Sequence, residues 1–259
     1  MRNAPDLITE IDLGDRSVPV EARINRRARR LIVKVDSLQG VVHLTAPSRR
    51  ALADAVRFAQ ERRGWIREEL AAGPKAHPFE TGGLCPYAGV PHRIVADGGP
   101  RAPVRRLPET ADGGPHRLVV GGEAAHVNRR VCDWLKREAR RVLTDRAGFY
   151  AGELGRNHGR IRVNDTRSRW GSCSENGTLS FNWRLILAPP AILDYVAAHE
   201  CAHLVHMNHS KAYWRVLASL GVDASAARQW FQHHGPRLFS YGVPHKVDPA
   251  TPENNEAAA

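Results

Sequence analysis

This sequence predicts an α+β fold, and three observations lead there. Residues 17 to 47 read as three short strands in succession. Two longer stretches, 48 to 73 and 124 to 154, space their apolar residues three and four apart, as helices do. Farther on, an Asn176-Gly177 hairpin signal leads into an apolar helix that ends in HECAHLVHMNH, residues 199 to 209.

The strand runs are SVPVEARIN from Ser17, RRLIVKVD from Arg29 and GVVHLTAP from Gly40. Val42, Leu44 and Ala46 alternate cleanly, and Leu38-Gln39-Gly40 suits a hairpin connection. Ser48 fits the N-cap of one helix whose stripe is Leu52, Ala55, Val56, Ala59 and Ile66, with Gly73-Pro74 as its stop. Residues 73 to 116 hold eight Gly and eight Pro, which predicts a loop-rich stretch punctuated by short strands at 92–96 and 116–120. The next helix turns Val127, Val131, Trp134, Leu135, Ala139 and Val142 inward and stops at Gly155. In the arm after Gly177, Leu179, Phe181 and Trp183 alternate with Ser180, Asn182 and Arg184. One face should meet a core and the other solvent or a cleft. The last residues, TPENNEAAA, read as a frayed tail.

With 259 residues, the chain can bury the core of one large domain or two small ones. No run of about 18 apolar residues predicts a membrane span, and the N-terminus lacks the apolar segment of a signal peptide. Cys85, Cys132, Cys173 and Cys201 have no CxxC spacing and read as free thiols in a reducing cytoplasm. The net charge is +11, and 33 of the 38 basic residues are Arg. Such a surface attracts nucleic acid, nucleotides or acidic partners. An Arg-rich composition on a solvated face explains it more simply.

The chemistry concentrates in HECAHLVHMNH. Pro190 suits the first turn of its helix. At about 100° per residue, His203 lies about 40° from His199 and one turn along, so one ion can bridge the two imidazoles. Glu200 sits beside them, able to take a proton from a water without being a ligand. Ile192 and Val196 share the histidine face while Leu193, Ala197 and Leu204 cover another, which makes this a buried helix. Bare histidines and a glutamate inside it are costly without partners, and a metal supplies one. A third ligand is expected at His209, folded back by a turn after Met207 at which Asn208 tolerates the left-handed conformation. His206 lies about 10 Å along the axis from His199, which assigns it to a supporting role or the surface. Ser210 then caps the following helix. Three imidazoles and an open position favour Zn2+, while manganese and nickel also fit such donors.

At this point the sequence resembles the YgjP-like zinc metallopeptidases, related to the SprT-type zincins. The likeness rests on RSRWGSCSENGTLSFNWRLILAPPAILDYVAAHECAHLVHMNHSKAYW, residues 167 to 214, and on the strand-rich start with its helix through Trp65-Ile66. The resemblance implies a zincin-like α+β catalytic core, with the HExxH helix beside a small antiparallel sheet. It implies metal ligands His199, His203 and His209 with catalytic Glu200, in agreement with the helix argument. The domain is expected over 15–245, as a strand-rich part (15–122) and a catalytic part (123–245), followed by a flexible tail (246–259). By analogy with zincins, the 169–183 hairpin forms a cleft wall. Arg169 or Arg184 then contacts substrate there, or both make structural pairs. Trp170 and Trp183 read as core, Cys173 as a buried thiol, and Tyr213 or Tyr241 as an oxyanion donor. Metzincins share the ligand spacing but have Gly where this chain has His206, and no Met-turn counterpart is visible here.

Peptide-bond hydrolysis, on a protein or peptide substrate, leads the functional readings. Hydrolysis of a nucleoside triphosphate suits the Arg-rich surface, although no Gly-rich phosphate loop or carboxylate cluster is visible. A DNA-associated SprT-like protease would use RINRRARR (23–30), with no recognisable DNA module beside it. A purely structural site ranks last, because it has no need of Glu200.

Overall fold

Alternation in the N-terminal strands matches the side they bury. In the computed structural model, which describes residues 4–109 and 113–244, the first sheet contains β1 (Leu7–Asp12), β2 (Ser17–Ile24), β3 (Ile32–Asp36) and β4 (Val41–Ala46). Their order is β1-β2-β4-β3, with β2 and β4 parallel and both outer pairs antiparallel. Val18, Val20, Ala22, Val42, Leu44 and Ala46 point to one face. Helices α1 (Arg49–Glu61) and α2 (Arg63–Ala72) cover it with Leu52, Ala55, Ala59 and Ile66. Ser48 caps α1 by accepting from the Ala51 N–H at 3.2 Å. The single helix expected over 48–73 is two. At Arg62 the backbone leaves helical geometry (φ −97°, ψ 18°) and its N–H is shared between the Phe58 and Ala59 carbonyls. Strand β1 is an addition to the sequence reading. Ile11 is its one buried residue, so its apolar signal is weak.

In the loop-rich stretch, the short strands expected at 92–96 and 116–120 are β6 (Val90–Ala96) and β8 (Arg117–Val120), and with β5 (Leu84–Tyr87) and β7 (Arg105–Leu107), which were not expected, they form a second four-stranded sheet in the order β5-β6-β8-β7. Its glycines and prolines occupy the turns between short strands. Cys85, Ile94, Leu118 and Val120 pack with Val127, Val131 and Leu135 of the long helix α3 (Ala124–Glu153) in one continuous core. The described residues therefore divide into two compact units after Ala76, the second being His77–Pro244. The boundary expected at 122/123 falls inside that second unit, because 77–122 shares its core. The expected tail lies outside the described residues. No helix among the described residues is long and apolar enough to cross a membrane.

The rest of the second unit builds the site. A three-stranded sheet holds β9 (Ile161–Asn164), β10 (Gly171–Cys173) and β11 (Leu179–Asn182) in the order β10-β11-β9. The expected hairpin is the β10–β11 pair, turned by Gly177 at φ +72°. The sheet is mixed, not purely antiparallel as expected, since β9 adds parallel to β11. Leu179, Phe181 and Trp183 are buried as predicted, but so are Asn182 and Arg184. The strand ends there: the Asn182 side chain accepts from the Arg184 N–H at 2.9 Å and starts a 3₁₀ turn, Trp183–Leu187. Helices α4 (Pro190–Ala202), α5 (Lys211–Ser219) and α6 (Ala224–Leu238) follow. Pro190 sits in the first turn of α4.

Candidate metal centre

Helix α4 carries His199 in its last turn, and His203 follows in helical conformation at its C-cap (φ −68°, ψ −18°). The two imidazoles therefore keep the one-turn relation their spacing implies, with ring centroids 5.1 Å apart. Beyond His203 the chain makes one more turn, held by the His206 N–H donating to the Ala202 carbonyl at 3.1 Å. It then reverses into α5. Asn208 was expected to make that reversal in the left-handed conformation. Among the described residues Ala88 alone does so without being glycine. Asn208 works instead through its side chain, which accepts from the Ser210 N–H at 3.3 Å. Ser210 caps α5, and His209 stands just ahead of it, over His199 and His203.

The three histidines present ring nitrogens that all lie within 4.8 Å of one another. His199 Nε2 and His209 Nε2 are 3.2 Å apart. Two ligands of a tetrahedral ion at Zn–N lengths of about 2.0–2.1 Å stand about 3.3 Å apart, so the His199–His209 pair is spaced for such an ion, with His203 within 4.8 Å of both. Two of the rings, His199 and His203, are held neutral as ligation needs. Burial, then His203 and His209, push His199 down to about 4, and burial lowers His203. His203 Nδ1 donates to the His206 carbonyl at 3.0 Å, which fixes the tautomer and leaves Nε2 as the free donor atom. His206, expected in a supporting role or at the surface, meets His203 through its backbone carbonyl.

Tyr213 underlies all three rings at centroid distances of 5.4, 4.6 and 4.7 Å. It is fully buried, and its hydroxyl donates to the His199 carbonyl at 3.1 Å. That hydroxyl is committed to the helix, so Tyr213 serves as a platform and not as the oxyanion donor expected of it. Tyr241 lies against His77 and Phe79, among none of these groups.

Glu200 is buried on the next face of α4. Burial pushes its carboxyl up to about 8, against the Arg169 guanidinium and a hydrogen bond from the Cys173 backbone N–H. Strand β10 runs so close that a Cβ on Gly171 would stand 2.4 Å from Glu200 Oε1 and 2.7 Å from its Cγ. Only glycine admits that approach. Arg169, of the two arginines considered, is the one brought toward Glu200. Arg184 is buried instead, its Nε donating to the Tyr241 carbonyl at 3.0 Å, its NH1 paired with Asp165, and its guanidinium stacked on Trp183. It is structural.

A pocket of about 500 Å³ opens beside His199 and Glu200, reached by Trp170, Tyr195, Arg228, Phe231 and Gln232 among others. Sequence reasoning missed these lining residues as a group and treated Trp170 as core. Tyr195 was within reach, because four residues before His199 places it about 40° away on the same helix face. Nothing local marks the α6 residues, which the tertiary fold brings over.

A family model described as the YgjP-like metallopeptidase domain matches residues 29–234. The chain belongs to that family. No curated protein matches it. Among solved structures, the metallopeptidase zymogen of Pyrococcus abyssi abylysin is similar over 36% of this chain and 92% of its own, at 18% identity and a TM-score of 0.32. The match to the YgjP-like metallopeptidase domain spans β10, α4 and α5, and hence every histidine and carboxylate described above. The four cysteines of this metallopeptidase are unpaired. Burial and Glu200 push the Cys173 thiol up to about 11, and this protonated group is a poor nucleophile.

Proposed function

We propose that this chain is a zincin-like, zinc-dependent peptidase in which Glu200 is the general base. The observation that carries the reading is the meeting of three imidazoles with a buried carboxylate at one helix end. A structural metal site has no use for the carboxylate; a hydrolytic one does.

His199, His203 and His209 would hold the ion. Zinc, when bound, supplies Lewis acidity that lowers the pKa of water and polarises a carbonyl. Glu200 accepts the proton of the attacking water at a carboxylate oxygen and delivers it to the departing amine nitrogen. The Cys173 N–H and the glycine at 171 hold that carboxylate in one place between the two transfers. Its raised pKa belongs to the protein without a cation. A dication beside it favours the ionised form that a base requires. The largely apolar walls beside Glu200 suit a peptide side chain better than a triphosphate.

The test pairs wild type with Glu200→Gln, measuring bound zinc and cleavage of an unfolded protein and of nucleoside triphosphates. The proposal expects about one zinc in both proteins and proteolysis by wild type alone. Nucleotide hydrolysis without proteolysis would move the chain to the phosphohydrolase reading.

A further inference from the structure

The pocket beside Glu200 has a chemical character of its own. One wall is aromatic: Trp170 and Phe231 stack at 5.1 Å with their planes 26° apart, and Phe239 supports Trp170 from behind at 4.2 Å. The other wall is the buried Tyr195 and Val196 of α4, four and three residues before His199 and so on or near its helix face. The mouth carries Arg228 and Gln232, both exposed on α6. Arg228 is held in place, with Nε donating to the Ala224 carbonyl at 3.1 Å and the guanidinium 5.4 Å from the Trp214 ring centroid. Among the described residues no carboxylate lies within ion-pairing distance of it. Its guanidinium is therefore unpaired at the entrance.

From this arrangement we infer that the pocket selects the substrate residue next to the scissile bond, admitting large aromatic or aliphatic side chains and rejecting lysine and arginine. The inference rests on the peptidase reading of the same site. The physical reasons are separate for its two halves. A roomy apolar pocket favours side chains by the area they bury, which discriminates by about 10- to 200-fold for the first methylenes. A fixed, unpaired guanidinium at the mouth opposes a second cation, and repulsion of that kind specifies against partners. Trp170 and Tyr195 serve the wall, and Arg228 and Gln232 are specificity residues, not catalytic ones.

The test uses the full chain loaded with zinc and a peptide library randomised on both sides of the bond, with products read by mass spectrometry. Two exposed α6 positions are varied, so folding is preserved and can be checked by circular dichroism. Wild type should cleave beside Phe, Tyr, Leu or Met about tenfold or more faster than beside Ala, and poorly beside Lys or Arg. Arg228→Glu should raise cleavage beside Lys and Arg at least about tenfold relative to Phe, an effect that high salt diminishes. Gln232→Trp, which fills the mouth, should depress the Phe and Leu products relative to Ala. A flat wild-type profile, or an Arg228→Glu profile identical to wild type, overturns the inference. Calorimetric binding of blocked Phe-, Ala- and Lys-containing peptides to zinc-loaded Glu200→Gln separates the two levels. If wild type cleaves nothing while those peptides still rank Phe over Ala over Lys, the pocket stands and the peptidase reading falls. If the peptides do not rank, the pocket inference falls as well.

Discussion

Two histidine groups inside His77–Pro244 differ in what they offer a metal. His199, His203 and His209 converge at the end of α4, and His92 of β6 faces His116, just ahead of β8, with ring centroids 5.1 Å apart. Both groups are buried at their centre, and both contain ring nitrogens without a hydrogen-bond partner: His199 Nδ1 in one, His92 Nε2 and His116 Nδ1 in the other. They differ in what surrounds those nitrogens. The trio offers three donors within one ion's reach and a carboxylate on the adjacent face. The pair offers two, and burial, with His116 and the Arg106 guanidinium, pushes His92 down. A cation gains ligands in the first setting and meets a like charge in the second. An orphaned imidazole nitrogen is thus no mark of a metal site; convergence beside an acid is.

The contrast breaks most plainly under substitution of single histidines. His203→Ala should reduce bound zinc from about one to near zero, and cleavage with it, whereas His92→Ala should leave zinc content unchanged, both read by atomic absorption on gel-filtered protein. Zinc lost from the His92 variant in a folded protein would erase the distinction. Glu200→Gln comes next, with kcat lower by about 10²–10⁴ and zinc retained. Gly171→Ala should act through Glu200 alone. The methyl would overlap the carboxylate, so either β10 or Glu200 must shift. A misplacement near 1 Å costs about 10² in rate, with zinc content again intact. Steady-state kinetics on these two variants should therefore show a fall in kcat without loss of metal.

Much of the trio was legible because α4 is local. HExxH places two imidazoles and a carboxylate together by helical geometry alone, and the Asn208–Ser210 segment supplies a turn and a cap in the right place. The carboxylate's other neighbours were hidden by distance along the chain. Gly171 reads as an ordinary hairpin glycine until β10 is laid against α4, and Arg228 and Phe231 arrive only when α6 crosses the pocket. The misreadings have the same origin. Arg184 follows the strand alternation outward on paper, yet the strand ends at Asn182 and the following turn buries it beside Asp165. In the Gly- and Pro-rich stretch two of the four strands were legible and β5 and β7 were not, because these are only four and three residues long, too short for periodicity to register.

The smallest expected effect sharpens the pair itself. Burial, opposed by the hydrogen bond to the Val90 carbonyl, leaves His92 with a lowered pKa in the folded chain. Below its ordinary value of about 6.5 the unfolded chain takes up a proton there that the native protein refuses. The contribution of neutral His92 to stability is accordingly present above that pH and is lost as pH falls. His92→Gln carries no such proton, so the stability advantage of wild type over this variant should narrow between pH 8 and pH 5.5. Urea unfolding with a chelator in every sample checks it, since both proteins then titrate the same metal-free trio and only the pair differs. A constant difference across that range would mean that His92 titrates alike in both states, and that its burial is relieved by a partner such as an ordered water. With that, the physical contrast between the two histidine groups would lie in their number of donors and in the carboxylate beside the trio.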